Sequence, residues 1–167
     1  MRFARPSKLL LSLGLWAVLA GCGARIPPPL ASQVAWDLSF PEVRRQPEAY
    51  VGRTVAFGGI VTQIEAADGG YRAVVMELPL DGSRRQRPAV GQPPRGLFIV
   101  LIPSQGLSPE LRPGAEVTVV GEVLGKGKTS AAEGAEEAPL LEERYIHVWG
   151  ASWWPRIHIG IWGGIPI

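Results

Sequence analysis

The chain has 167 residues, with 17 lysines and arginines against 15 aspartates and glutamates, and a single cysteine. Three of the basic residues, Arg2, Arg5 and Lys8, fall within the first 21, and 17 less these three leaves 14 basic residues against 15 acidic ones. A near-neutral remainder argues against a nucleic-acid partner, whose binding depends on neutralising many phosphates, and one thiol excludes a disulfide framework within the chain.

The first segment has a basic start, an apolar run over residues 9–19 broken only by Ser12 and Gly14, and then small residues. That is the plan of a secretory signal peptide. Its apolar run is 11 residues long, short of the roughly 20 needed to span a bilayer, so residues 1–21 are expected to be removed. Leu19-Ala20-Gly21-Cys22 resembles the lipobox of bacterial lipoproteins. The resemblance implies an S-diacylglyceryl thioether and an N-acyl group on Cys22 and cleavage just before it. Several acyl chains at about 0.8 kcal/mol per buried CH₂ make such an anchor persistent.

Residues 22–35, with Pro27-Pro28-Pro29, read as the lipidated cysteine followed by an extended, polyproline-like tether. One domain is expected over residues 36–154. A domain of about 150 residues buries some 68–70% of its unfolded surface and needs no disulfide. Ser39-Phe40-Pro41-Glu42 fits a capping box, and Pro47 and Gly52 bracket a further turn, so one short, broken helix is expected near residues 40–50.

Five strand-like stretches follow, at residues 54–64, 71–78, 96–102, 116–124 and 145–153. In the first, Val55, Phe57 and Val61 alternate with Thr54 and Thr62, and Gly58-Gly59 predicts a bulge or tight bend. The third has no polar face and is expected to be covered on both sides. In the fourth, Val117, Val119, Gly121 and Val123 form one face, with Thr118 and Glu122 on the other. Ser108-Pro109-Glu110-Leu111 is expected to form one helical turn between the third and fourth. The fold class is therefore mainly β, a small five-stranded OB-like β-barrel with one or two short helical elements. An unrelated small sandwich or barrel stays open as an alternative.

Two linkers interrupt the strands. Residues 81–95 are basic and Pro-rich, with Arg84, Arg85, Arg87 and Arg95, while residues 125–143 are rich in Gly, Ala and Glu, with Glu133, Glu136, Glu137, Glu142 and Glu143. The expectation is two solvated, mobile loops; the alternative is a basic loop that touches anionic lipid. The tail, residues 155–167, alternates Ile157, Ile159 and Ile161 with His158 and Gly160. It reads as a strap over a barrel edge or as a surface for the membrane interface or a partner.

Catalytic chemistry is not evident. His147 and His158 stand 11 apart with no second cysteine, which gives poor support for zinc, and His147 is expected on a strand face beside Trp149. Asp37 with Glu42, and Glu65 with Asp68, are close in sequence, but closeness alone makes no acid/base dyad. Neither a nucleophile motif nor a phosphate-binding loop is present. The chain is read as having no catalytic, cofactor-binding or metal residues.

Phe40-Pro41-Glu42-Val43-Arg44-Arg45-Gln46-Pro47-Glu48-Ala49-Tyr50-Val51-Gly52, the following Thr54-Val55-Ala56-Phe57-Gly58-Gly59-Ile60-Val61, and the later Val119-Val120-Gly121-Glu122-Val123 and Tyr145-Ile146-His147-Val148-Trp149 together resemble the Slp family of outer-membrane lipoproteins. The resemblance implies a stress- or starvation-associated protein of the Gram-negative outer membrane without established enzymatic activity, and a functional role for Cys22 alone. Gly23 after the cysteine agrees with outer-membrane sorting in enteric-type systems. The expected function is a lipid-anchored, non-catalytic protein, facing the periplasm, that supports envelope integrity or the stress response by binding an envelope protein or lipid. The alternative is an accessory or carrier subunit that binds a small ligand or a protein of an envelope transport or assembly system.

Overall fold

The computed structural model describes residues 26–82, 86–129 and 135–151. Cys22, Arg84, Arg85, Glu133, His158 and the tail at 155–167 lie outside these residues. In chain order the described elements are helices α1 (Pro28–Ala31) and α2 (Phe40–Arg45), a 3₁₀ turn (Pro47–Tyr50), and strands β1 (Thr54–Ala67), β2 (Gly70–Leu78), β3 (Gly96–Pro103), β4 (Ala115–Lys128) and β5 (Glu137–Ala151).

The strands close into a ring in the order β1-β2-β3-β5-β4 and back to β1. Only β3 and β5 run parallel, over Ile99 to Leu140, Val100 to Leu141 and Leu101 to Glu142. Strand β1 makes the closure possible. Its first half pairs with β4 and its second half with β2, and the two ladders overlap at Gly58, Gly59 and Ile60. A Cβ on Gly59 would run into the Met76 carbonyl oxygen and stand 2.6 Å from Val75 Cγ1, so the glycine pair marks the bent corner where β1 changes partners. The register shift itself comes later, between Val61 and Gln63. The architecture is the mainly β, OB-like one expected.

The core fills the ring. Val55, Phe57 and Val61 of β1, Phe98, Val100 and Ile102 of β3, and Val117, Val119 and Val123 of β4 point inward. Helix α2 adds Phe40, edge-on to Phe57 at 5.2 Å between ring centroids, and Val43. Its start is the expected capping box, with the Glu42 carboxylate accepting from the Ser39 N–H at 2.8 Å and the Ser39 hydroxyl at 2.6 Å. Hydrogen bonding to Ser39 holds the Glu42 carboxyl below its ordinary value. Strand β3 buries both faces, since Ile99 points away from Phe98 and Val100 and is equally inaccessible.

The β3–β4 connection makes the single turn expected at Ser108, capped by its side chain and not continued into a helix: Leu111 N–H donates to Ser108 O at 2.9 Å and Glu110 N–H to Ser108 Oγ at 3.3 Å. This turn drops Leu111 into the core.

Most of the supposed acidic linker is a β4–β5 hairpin, with Lys128 opposite Glu137 and Val123 opposite Leu141. Cross-strand charges explain why a Gly- and Glu-rich stretch pairs. Lys126 of β4 lies 3.6 Å from Glu137 of β5, and Arg144 of β5 reaches Glu122 of β4 at 2.7 Å, with Glu142 of its own strand at 3.0 Å.

The chain from Ile26 to Ala35 is not extended. Pro28 and Pro29 stand in the first turn of α1, where a missing N–H and a fixed φ favour a helix start.

Candidate functional site

The segment that leads away from Cys22 is docked on the outside of the ring. Leu30 and Ala31 N–H both donate to Pro27 O at 2.9 Å, and Ala35 N–H donates to Thr54 O at 2.8 Å, which ties the segment to the start of β1. Ile26, 5% exposed, and Val34, 7% exposed, pack on Val120 of β4, with Ala56 and Tyr145 at the margins. At roughly 1.5–3 kcal/mol for each fully buried aliphatic side chain, the two anchors offset part of the cost of ordering the segment, and the packing of Leu30 and Ala31 and the bond from Ala35 to Thr54 add to them. Trp36 follows, 51% exposed, with its indole Nε1–H donated back to Ala31 O at 3.0 Å.

Beside this segment is a groove of about 200 Å³. One wall is Val34, Trp36 and Leu38, the floor is Ala56 and Gly58, and the far wall is Leu80 from the loop after β2. Gly58 keeps the groove narrow, because a Cβ there would lie 2.7 Å from Leu80 Cδ2.

The loop that forms the far wall is pinned by two buried carboxylates. Glu77 of β2, 1% exposed, receives the Arg95 guanidinium on both oxygens, with Arg95 Nε at 2.9 Å from Oε2 and Nη2 on Oε1. That bonding raises the Arg95 pKa further. Glu116 of β4, 3% exposed, accepts from Arg87 Nε at 3.0 Å and Nη2 at 2.8 Å.

Main-chain bonds hold the same loop. Asp81 N–H donates to Arg87 O and Ala89 N–H to Pro79 O, each at 2.8 Å. Arg87 and Arg95 are therefore structural clamps: both are exposed, as expected of a solvated loop, but their charges are paired with buried acids and hold the loop to the ring. Their signal in the sequence was weak: an acid inside each of two apolar strands, with arginines in the loop between.

Thr118 joins the loop to β5. Its hydroxyl donates to Gln86 O at 2.6 Å and accepts the Trp149 Nε1–H at 2.9 Å. The Arg87 guanidinium sits 5.8 Å from the Trp149 ring centroid, and His147 stands edge-on to Trp149 at 4.3 Å, on the strand face expected. Burial lowers the His147 pKa, opposed by the Glu110 charge.

The sequence-adjacent acids have other partners. Glu42 caps α2, and Glu65 accepts from the Gln63 side-chain amide. Among the described residues no group of three or more His, Cys, Asp or Glu is gathered to hold a metal ion. The groove can thus bind by shape, apolar contact and backbone polarity, while its strong charges are already paired.

Residues 19–157 match the family described as the outer membrane lipoprotein Slp family. The chain belongs to the Slp family. The matched span includes Cys22 and every described strand. As a member of Slp it is a lipid-anchored protein of the outer membrane, and Slp is not a known enzyme family.

The chain is 35% identical over 109 residues to the uncharacterized lipoprotein YeaY of Escherichia coli (strain K12), a match that takes in 65% of this chain and 54% of YeaY. It thus spans about half the length of that relative. Two crystal structures of mitochondrial single-stranded DNA binding proteins from S. cerevisiae, Rim1, are similar over 59% of this chain and 96% of theirs, at TM-scores of 0.38 and 0.35 and identities of 12% and 14%.

Proposed function

We propose that residues 1–21 are removed, that Cys22 carries the diacylglyceryl thioether and the N-acyl group, and that the ring is a non-catalytic binding domain on the periplasmic side of the outer membrane. Its site is the groove between the docked segment and the loop after β2, and its ligand is an envelope component. The observation that carries this reading is that Val34 and Trp36 form a wall of the groove while Ile26, in the same docked segment, lies four residues from Cys22. Anchor and groove are then only a few residues apart along the chain, so an anchored ring presents the groove close to the membrane. The paired state of Glu77 and Glu116 supports a binding role over acid/base work, since a clamped carboxylate is a poor proton carrier.

A photo-crosslinking residue at Leu80, used in intact cells, tests the site. A lipid or glycan adduct is expected. A stoichiometric protein adduct instead supports the accessory-subunit reading, and the absence of any adduct contradicts the groove as the site.

A further inference from the structure

We infer that the docked segment and the β5 aromatics beside it form the surface on which the ring rests against the lipid headgroup layer. The inference rests on the lipid at Cys22 proposed above and adds a defined orientation to it. Four residues of chain, from Cys22 to Ile26, reach at most about 14 Å. Ile26 is fixed in the ring by its packing on Val120, so the face that holds Ile26 stays within that distance of the acyl chains.

The chemistry of this face suits the position. Pro27, Pro28 and Pro29 are exposed and have no N–H to leave unpaired in a medium poor in water. The Trp36 ring is exposed while its only donor is already bonded to Ala31 O. Tyr145 packs beside Ile26 and Val34, and Trp149, further along β5, has its donor bonded to Thr118. Aromatic rings with a polar end partition into the interfacial layer of a bilayer, and here the indole donors enter it satisfied.

Two of the cations on this side are paired, Arg87 with Glu116 and Arg144 with Glu122 and Glu142. The aromatic and apolar groups of the face, and not these paired cations, carry the contact.

The test uses the full lipidated protein reconstituted in phosphatidylethanolamine/phosphatidylglycerol vesicles. With the Cys22 thiol in its thioether, a cysteine introduced by Ser32→Cys, Asp37→Cys or Ser104→Cys is the one reactive thiol for a nitroxide label. All three positions are exposed. Ser32 and Asp37 lie on the docked segment, whereas Ser104 lies in the turn after β3, bonded to Gly69.

Collision with oxygen is expected to rise severalfold, and collision with an aqueous nickel chelate to fall, at positions 32 and 37 but not at 104. Equal water access at all three positions overturns the inference while leaving the anchor intact. Protection that persists in detergent together with a stoichiometric protein assigns the face to a protein partner and also overturns it. Mass spectrometry of the same sample reports the lipid, and an unmodified Cys22 removes both the anchor and the orientation.

Discussion

Arg95 covers Glu77 with two nitrogens on two carboxylate oxygens, so a loop residue neutralises a side chain that β2 has removed almost entirely from water. The pair couples the wall of the groove to the ring. Removing one member of a buried pair leaves an uncompensated charge and costs about 3 kcal/mol or more, reduced here because Arg95 is partly exposed. Arg95→Ala is expected to lower the midpoint of urea unfolding clearly, Arg95→Lys to recover only part of the loss, and Arg95→Leu with Glu77→Leu to lose less than Arg95→Ala. Urea titrations check the order, and a double variant weaker than Arg95→Ala contradicts it.

Gly59 and Gly69 separate two reasons for glycine. Gly69 has φ +82° and open space around a would-be Cβ, so Gly69→Ala is expected to cost about 1 kcal/mol through backbone strain alone. Gly59→Ala forces β1 away from Met76 and Val75 at the corner of the ring and is expected to cost about 3 kcal/mol or more. Thermal unfolding of the two variants checks the contrast, and equal losses would show that β1 has slack at the corner.

Glu143 and Glu42 should give stability opposite dependences on pH. Burial raises the Glu143 carboxyl above its ordinary value, so the folded state binds this proton more tightly than the unfolded chain. Its contribution to stability therefore falls as pH rises from the ordinary glutamate range through the raised value. Glu143→Gln is expected to be more stable than the parent at neutral pH and no more stable in acid.

Glu42, held low by Ser39, stabilises above the ordinary glutamate value, and that contribution is lost as pH falls through the lowered one. Glu42→Gln is expected to be less stable at neutral pH. Unfolding across the acid range decides, and profiles parallel to the parent's for both variants contradict the assignment.

The docked segment should detach without unfolding the ring. Ile26 and Val34 belong to the outer cluster with Val120, separate from the core around Phe57 and Phe98. Ile26→Ala with Val34→Ala removes apolar contact worth about 2–5 kcal/mol for the isoleucine alone. Cleavage by protease between residues 26 and 36 is expected to accelerate strongly while the far-UV signal of the strands stays unchanged. Loss of the strand signal along with protection would show a single cooperative unit.

These relationships were unevenly visible beforehand. Ser39 and Glu42 act within one turn, and the apolar run through Phe98, Ile99 and Val100 identifies a covered strand without knowledge of its neighbours, so the α2 cap and β3 were legible. The docking of Ile26 was not. Pro27-Pro28-Pro29 fits both an extended chain and a helix start, and the contact of Ile26 and Val34 with Val120, far along the sequence, is what docks the segment on the ring. Likewise, Arg87 and Arg95 look like solvated charges until the fold brings Glu116 and Glu77 beneath them. Lys126, Glu137 and their neighbours read as linker because the charge pairing that supports the hairpin exists only once the strands face each other. Cys22 was legible as a motif, and its neighbours in sequence carry all of that signal.

The central claim is that a lipid on Cys22 holds the ring at the outer membrane through the docked segment. The most direct measurement is the intact mass of the protein purified from outer membranes, with fragmentation of its first residues. The predicted result is a chain that begins at residue 22, with a diacylglyceryl group on the sulfur and an acyl group on the amine. A chain that begins elsewhere, or one with Cys22 unmodified, contradicts the account.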